Sequence, residues 1–385
     1  MNKICVVVGS RANYSSIKSV MRAVQAHPDL TLQLVVGASA LLDRYGSVVE
    51  VIERDGFTAD ARVNMIIEGE TPVTMAKSTG LGLLELPTIF DRLKPDCVIT
   101  VGDRFETMAT AVAAAYMNIP LAHTMGGEVT GTIDESVRHA VTKLAHLHFP
   151  ANREAGERIV KMGEDPATVH VVGCPRIDLV AEIAEREKNG LDREYLSHEG
   201  VGGHINLDEP FLLVNQHPVT TEYTKGEDQI NETLMALYEL KIPTIMLWPN
   251  ADAGSEDVAR GMRKFREHYD HEHIRFYKNF PVETFVRLMM RCAVMLGNSS
   301  AAVREGAYLG VPAVNVGTRQ AGRERGSNVV DVGYDRQKIM TAVKDHLKNG
   351  RYSSLPIYGD GKAGERIADI LAQSPKPSVQ KRISY

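Results

Sequence analysis

Cys97-Val-Ile-Thr-Val-Gly-Asp-Arg-Phe-Glu-Thr-Met-Ala-Thr-Ala-Val-Ala-Ala-Ala-Tyr-Met117 is the stretch that decides the fold. Cys97–Val101 is a short run rich in β-branched side chains and without regular polar alternation, which suits a strand covered on both faces. Gly102-Asp-Arg-Phe-Glu106 interrupts it, and the alanine-rich Thr107–Met117 follows as a helix. The same unit recurs outward. Ile4–Val8 leads into Gly9-Ser-Arg-Ala-Asn-Tyr-Ser15 and a helix from Ser16 to Ala26. Leu32–Val36 ends at Gly37, before a helical pattern carrying Leu41, Leu42, Tyr45, Val48, Val49 and Ile52. Leu121–Thr124 meets another glycine turn. A second series comprises Phe211–Asn215, Thr244–Leu247, Ile274–Tyr277, Ala293–Leu296 and Ala313–Val316. Strand and helix in alternation predict an α/β protein with parallel sheets and right-handed crossovers. The spacing predicts an N-terminal domain over 1–183 and a C-terminal domain over 205–360. The connection over 184–204 is polar and carries Gly190, Gly200, Gly202 and Gly203.

Composition excludes several classes. The chain has 385 residues, 43% hydrophobic and 24% charged, with a formal charge of −5. That fits two or three globular domains. It gives no basic face for a nucleic-acid backbone, so no nucleic-acid partner is expected. No apolar run approaches the ~18 residues that span a bilayer, so no membrane partner is expected. The N-terminus reads as a buried strand and not as a signal peptide. Cys5, Cys97, Cys174 and Cys292 are far apart, three of them in strand-like runs. They read as reduced, buried thiols of a cytoplasmic protein, with no disulfide framework and no zinc site.

In open parallel sheets ligands bind beyond the carboxyl ends of the strands. The polar residues there are Arg11, Asp103, Arg104, Glu128, His217, Asn250, Ser299, Ser300 and Arg319. Gly9-Ser-Arg-Ala opens a helix with N–H donors and the Arg11 fork, which suits an anion. Gly297-Asn-Ser-Ser-Ala-Ala-Val-Arg-Glu305 adds two hydroxyls for a diphosphate, with Glu305 about one and a half turns into the helix, where a carboxylate can hold ribose hydroxyls. Asp103, Glu128 and Asp134 are three carboxylates expected near one sheet edge, the setting in which a carboxyl becomes an acid or base near neutral pH. His217 is a candidate phosphate donor or acid–base group. Each also has a structural explanation: Ser capping, Asp134 as the N-cap of a helix with Arg138 and Lys143, and His217 bonded to backbone. His146 and His148 share a strand face but lack a third metal ligand. His268, His271 and His273 read as a solvated helix end, and Trp248 as a packing residue. G-x-G-x-x-G is absent, because Gly80-Leu-Gly82 follows no strand, and Gly361-Lys362-Ala363 is no Walker A.

The motifs Gly102-Asp-Arg-Phe, Gly126-Gly-Glu-Val-Thr-Gly-Thr-Ile-Asp134, Arg138-His-Ala-Val-Thr-Lys143, Gln216-His-Pro-Val-Thr-Thr221, Gly297-Asn-Ser-Ser300 and Gly317-Thr-Arg-Gln320 occur together. In combination the sequence resembles the hydrolysing UDP-N-acetylglucosamine 2-epimerases of sialic-acid biosynthesis, from Gly9 to Gly361. The resemblance implies two Rossmann-like domains facing a cleft (GT-B type), with a C-terminal helix over 364–376 packing back on the first. It implies a UDP-sugar substrate, UDP as product, no cofactor, no metal, and a homodimer or homotetramer. On matching positions Ser299, Ser300 and Glu305 would bind diphosphate and ribose. His217, Arg11, Asn250 and Arg319 would line the nucleotide cleft. Asp103, Arg104, Glu128 and Asp134 would face the sugar, with Asp103, Glu128, Asp134 and His217 as the catalytic set. The implied reaction removes H2 as UDP leaves C1, then hydrates the resulting glycal to an N-acetylmannosamine-type sugar. One departure stands out: family members acting on UDP-N-acetylglucosamine usually have Glu where this chain has Met125. Methionine transfers no proton, which opens the alternative of a 6-deoxy sugar with a second acetamido group, as in legionaminic-acid pathways. A GT-B glycosyltransferase, a non-hydrolysing 2-epimerase and an inactive nucleotide-sugar sensor are the rival classes.

Overall fold

The run around Cys97 is an interior strand of a parallel sheet. In the computed structural model, which describes residues 2–69, 71–186, 191, 193–250, 252–373 and 378–384, the chain divides into two compact units. One comprises Met1–Glu128, Ile133–Ala181 and Tyr358–Tyr385; the other comprises Val129–Thr132 and Glu182–Ile357.

The described residues of the first unit supply β1 (Asn2–Val8), β2 (Leu30–Gly37), β3 (Ala61–Val63), β4 (Cys97–Val101), β5 (Leu121–Thr124) and β6 (Leu147–Phe149). Their order is β3-β2-β1-β4-β5-β6, with every pairing parallel. The direction of strand addition reverses between β1 and β4, where Ile4 pairs with Cys97. Such a reversal opens a crevice beyond the strand ends. Consecutive residues of these strands are buried because helices cover both faces. Cys5, Val98 and Leu121 pack with Leu86, Phe90 and the alanines of the Phe105–Tyr116 helix.

The second unit repeats the arrangement with β7 (Val201–Gly202), β8 (Leu212–Asn215), β9 (Thr244–Leu247), β10 (Ile274–Tyr277), β11 (Val294–Gly297), β12 (Ala313–Val316) and β13 (Val329–Val332). The order is β13-β12-β11-β8-β9-β10-β7, reversing between β8 and β11. Alternation is plain here. Leu212, Val214, Met246, Val294 and Leu296 face one core, while Leu213, Ile245, Leu247 and Met295 face the other. Continuous apolar runs are thus what two covered faces require.

Several local readings change. The helix expected from Ser16 runs over Lys18–Ala26, and the preceding stretch read as a turn holds a further short helix, Arg11–Ser15, because Ser10 caps the chain one residue after Gly9. Within the stretch read as a connection, residues 187–190 and 192 lie outside the described residues. Arg193–His198 is helical with Leu196 buried, and β7 pairs antiparallel with β10. The glycines there serve close approach and not looseness: a Cβ on Gly203 would lie 1.6 Å from the Glu272 carbonyl oxygen. Gly80 and Gly82 lie inside the Pro72–Leu93 helix. All four cysteines are buried and free. Two, Cys5 and Cys97, are in strands, whereas Cys292 ends the Val282–Arg291 helix. Burial pushes the Cys97 and Cys292 thiols up to about 12. The Ala363–Gln373 helix begins where Asp178 accepts the N–H groups of Ala363 (3.0 Å) and Gly364 (2.7 Å). Residues 374–376, also expected in this helix, lie outside the described residues. No helix among the described residues is long and apolar enough to cross a membrane.

Candidate active site

In the second unit the polar residues gather where β8 and β11 end. Gly297 has φ +124°, and a Cβ there would lie 2.3 Å from the Asn215 carbonyl oxygen, so only glycine allows the two strands to close. Asn298 then turns inward. Its Oδ1 accepts the His217 N–H at 2.7 Å and its Nδ2 donates to the His217 carbonyl at 2.9 Å, so a side chain imitates one more rung of the sheet. The Asn298 carbonyl accepts from Gln320 Nε2 (2.8 Å) and Arg319 Nη1 (3.5 Å). Arg319 Nη2 also lies 3.8 Å from Asp252. The Asn250 N–H donates to His217 Nδ1 at 3.1 Å. A backbone N–H can only donate, so this Nδ1 carries the lone pair and the neutral ring holds its proton on Nε2. His217 is therefore fixed as an Nε2–H donor. His217 and Arg319 meet Asn298 directly, and Asn250 joins through His217.

Ser299 caps the Ser300–Val303 helix, accepting the Ala301 N–H at 3.3 Å. That helix lasts one turn. Arg304 (φ −87°, ψ −70°) stays in the right-handed region and donates its N–H to the Ser300 carbonyl at 2.9 Å, and Glu305 opens a second short helix, Glu305–Leu309. Glu305 thus does not sit one and a half turns into a continuous helix. A one-turn helix has little macrodipole, so attraction for an anion here rests on local N–H groups and hydroxyls. Glu305 is 2% exposed.

In the first unit the corresponding place is the gap between β1 and β4. Asn13 spans it, accepting the Gly9 N–H at 3.2 Å and donating to the Val101 carbonyl at 3.5 Å. Arg11 is the first residue of its short helix, and its Nη2 fills the space a Cβ on Gly46 would need. Gly9 is required by packing: a Cβ there would lie 2.3 Å from Glu106 Cγ. Glu106 in turn accepts from Arg104 Nε at 2.9 Å, so Arg104 is engaged beside its own turn.

Asp103, one residue beyond Gly102, forms an ion pair with Arg138 of the Asp134–Leu144 helix. Arg138 Nη1 also donates to the Glu128 carbonyl at 2.8 Å. The Glu128 turn is set by two left-handed residues, Met125 (φ +60°) and Gly127 (φ +74°). A Cβ on Gly127 would lie 2.3 Å from the Ala155 carbonyl oxygen. Met125 is buried and donates its N–H to the Phe149 carbonyl at 2.9 Å, continuing the β5–β6 pairing. Asp134 is the first helical residue and Ile133 is the N-cap, which corrects the expectation that Asp134 caps the helix. Behind the turn, His123 Nε2 donates to the Gly102 carbonyl at 2.7 Å and Nδ1 lies 3.2 Å from the Thr142 hydroxyl. Burial lowers this imidazole to about 3, so it stays neutral.

The family described as UDP-N-acetylglucosamine 2-epimerase matches residues 22–372. The chain belongs to the UDP-N-acetylglucosamine 2-epimerase family. A UDP-N,N'-diacetylbacillosamine 2-epimerase (hydrolyzing) of Legionella pneumophila is 32% identical over 97% of both chains. A UDP-N-acetylglucosamine 2-epimerase of Neisseria meningitidis is 29% identical over 99% of this chain and 98% of its own. Among solved structures, UDP-GlcNAc 2-epimerase from Neisseria meningitidis bound to UDP-GlcNAc superposes with a TM-score of 0.81 at 20% identity, covering 97% of this chain and 100% of that one. The enzyme of Methanocaldococcus jannaschii in complex with UDP-GlcNAc and UDP gives 0.81 at 19% identity, with the same coverage. These likenesses establish the fold: α/β, with two Rossmann-like parallel sheets.

Within this epimerase-family chain, reading the sequence missed the residues that hold the others: Arg138, Asn298, Asn13, Glu106 and Gln320. Arg138 carried a signal, lying four residues after Asp134 and so on its helix face. Asn298 lies inside the Gly297-Asn-Ser-Ser300 motif, but its partner is 81 residues away. His148 Nε2 meets Glu164 at 3.0 Å, and Lys143 and Lys381 bind the same carboxylate. Burial raises Glu164, but hydrogen bonds from His148, Lys143 and Lys381 outweigh it and bring the group to about 2. No group of three or more His, Cys, Asp or Glu that could hold a metal ion occurs among the described residues.

Proposed function

We propose that this chain is a hydrolysing 2-epimerase that converts UDP-N-acetylglucosamine to UDP and N-acetylmannosamine, for sialic-acid-type sugar synthesis in the cytoplasm. C2 of the sugar is not beside a carbonyl, so enolisation is closed to it. Elimination is open. A carboxylate takes H2 as a proton, the C–H pair becomes the C1=C2 bond, and the C1–O pair leaves with UDP. Hydration then places water oxygen on C1 and a proton on the opposite face of C2. The observation that carries this reading is the carboxylate group of the first unit. Asp103 and Glu128 follow neighbouring strands β4 and β5; the Asp103 carboxylate and the Glu128 backbone carbonyl both meet Arg138, on the helix that Asp134 begins. Proton transfer at carbon needs such a base and acid. The second unit supplies donors suited to a departing diphosphate: the His217 Nε2–H, Ser299, Ser300 and Arg319, with Glu305 for the ribose and Asn250 fixing His217. Arg11 and Arg104 are cations of the first unit. The hydrolysing relative matched end to end supports release of the free sugar.

A second reading has its own observation. Met125 places a buried thioether in the Glu128 turn. The Legionella relative, and one of Campylobacter jejuni 28% identical over 86% of this chain, bear names referring to diacetylbacillosamine. An apolar residue there suits a UDP-2,4-diacetamido-2,4,6-trideoxyglucose. The test is a proton NMR time course with each UDP-sugar, without acceptor, in heavy water. Free 2-epimeric sugar with deuterium at C2, plus UDP, is expected. An intact UDP-sugar, or a product keeping its C2 hydrogen, overturns the proposal, and the faster of the two sugars identifies the substrate.

A further inference from the structure

We propose that Arg138 is a positioning residue for the elimination: its buried guanidinium holds Asp103 as an aimed carboxylate and locks it to the Glu128 turn. This inference rests on the reading above. Arg138 is 1% exposed, among the largest wholly buried side chains of the protein. Burying a guanidinium costs several kcal/mol unless it is paired, and breaking such a pair from one side is severe. Its two ends meet different strand termini. Nη2 faces Asp103 Oδ2 beyond β4, and Nη1 donates to the Glu128 carbonyl beyond β5. The planar fork fixes the angle between the two, which an ammonium on a flexible stem cannot do. Asp103 keeps 23% of its side-chain surface exposed while Arg138 keeps 1%, so the carboxylate is anchored from behind and open in front. The Asp134–Leu144 helix brings the guanidinium there because Arg138 lies one turn after Asp134 on the same face.

A residue acting only through Asp103 has a recognisable signature. Arg138→Met should lower kcat by about 10²-fold, the lower range for loss of acid–base catalysis, while UDP affinity by calorimetry stays within twofold. The double variant Asp103→Asn/Arg138→Met should be no slower than Asp103→Asn alone, since the two act as one unit. Arg138→Lys should recover part of kcat. Should Arg138→Met fail to fold, Arg138→Lys and Asp103→Asn/Arg138→Lys carry the same comparison. A kcat within threefold of wild type in Arg138→Met, or a double variant slowed by the product of the single effects, overturns the inference. Wild-type protein assayed in parallel separates the two levels. If it releases no free sugar from either UDP-sugar, the functional reading falls and this inference with it. If it is active while Arg138→Met is unimpaired, only the Arg138 assignment falls.

Discussion

Asn298→Ala is the substitution whose consequence the structure lets us work out most fully. Asn298 is 1% exposed and its side chain hydrogen-bonds both the N–H and the carbonyl of His217, at 2.7 and 2.9 Å. Alanine removes one partner from each and strands a buried N–H and a buried carbonyl. Each stranded group costs about 1–3 kcal/mol, so the sum is about 3 kcal/mol once partial access of water is allowed. For a unit of this size, about 2–4 °C is lost per kcal/mol, giving a fall in melting temperature of about 6–12 °C. The same change frees the turn carrying His217 and, through it, the Asn250 N–H bond that fixes the imidazole proton on Nε2. UDP affinity should fall at least about tenfold, or 1.4 kcal/mol. Asn298→Asp is the sharper control. It keeps the acceptor for the His217 N–H but turns an oxygen against the His217 carbonyl and buries a charge, so it should be worse than alanine. Scanning fluorimetry and calorimetry with UDP read both effects. Variants that melt within 2 °C of wild type and bind UDP normally would refute the role given to this asparagine.

Other outcomes follow from the same geometry. Asp103→Asn should lower kcat by about 10²–10⁴-fold and leave UDP affinity nearly intact; wild-type kcat in that variant would remove Asp103 from the chemistry. Ser300→Ala and Glu305→Ala should instead weaken UDP binding, and unchanged affinity in calorimetry would exclude them from the nucleotide site. Stability should decline in acid. His123, held at about 3 against an ordinary 6.5, favours the folded state fully above 6.5 and loses that contribution as pH falls toward 3. Glu164, held at about 2 against 4.5, adds a second loss between 4.5 and 2. Urea midpoints that stay flat from pH 7 to 4 would contradict this, and Glu164→Gln should remove the lower step. Gly131→Ala places a Cβ 2.0 Å from the Thr318 carbonyl oxygen and breaks the 3.1 Å bond from the Gly131 N–H to the Arg319 carbonyl. Its kcat should drop, because Glu128 and Asp134 flank that loop; an unaltered kcat would count against their role.

The sequence alone determined the architecture. A run such as Leu212-Leu-Val-Asn215 has no polar alternation, so it must be covered on both sides, and short runs of that kind separated by helices leave only parallel sheets. It also placed the polar residues that follow buried strands, since these have only the strand ends to occupy. Tertiary structure alone decided which residues hold the others. Asn298 pairs with His217 across 81 residues, and Arg138 on one helix meets Asp103 after a different strand. No local period encodes such pairings. The glycines at 200–203 misled for the same reason: looseness and close approach share one residue type, and only the neighbouring β10 strand tells them apart. Burial and alternation are written residue by residue along a chain, whereas a hydrogen-bond partner is fixed only when distant segments have already met.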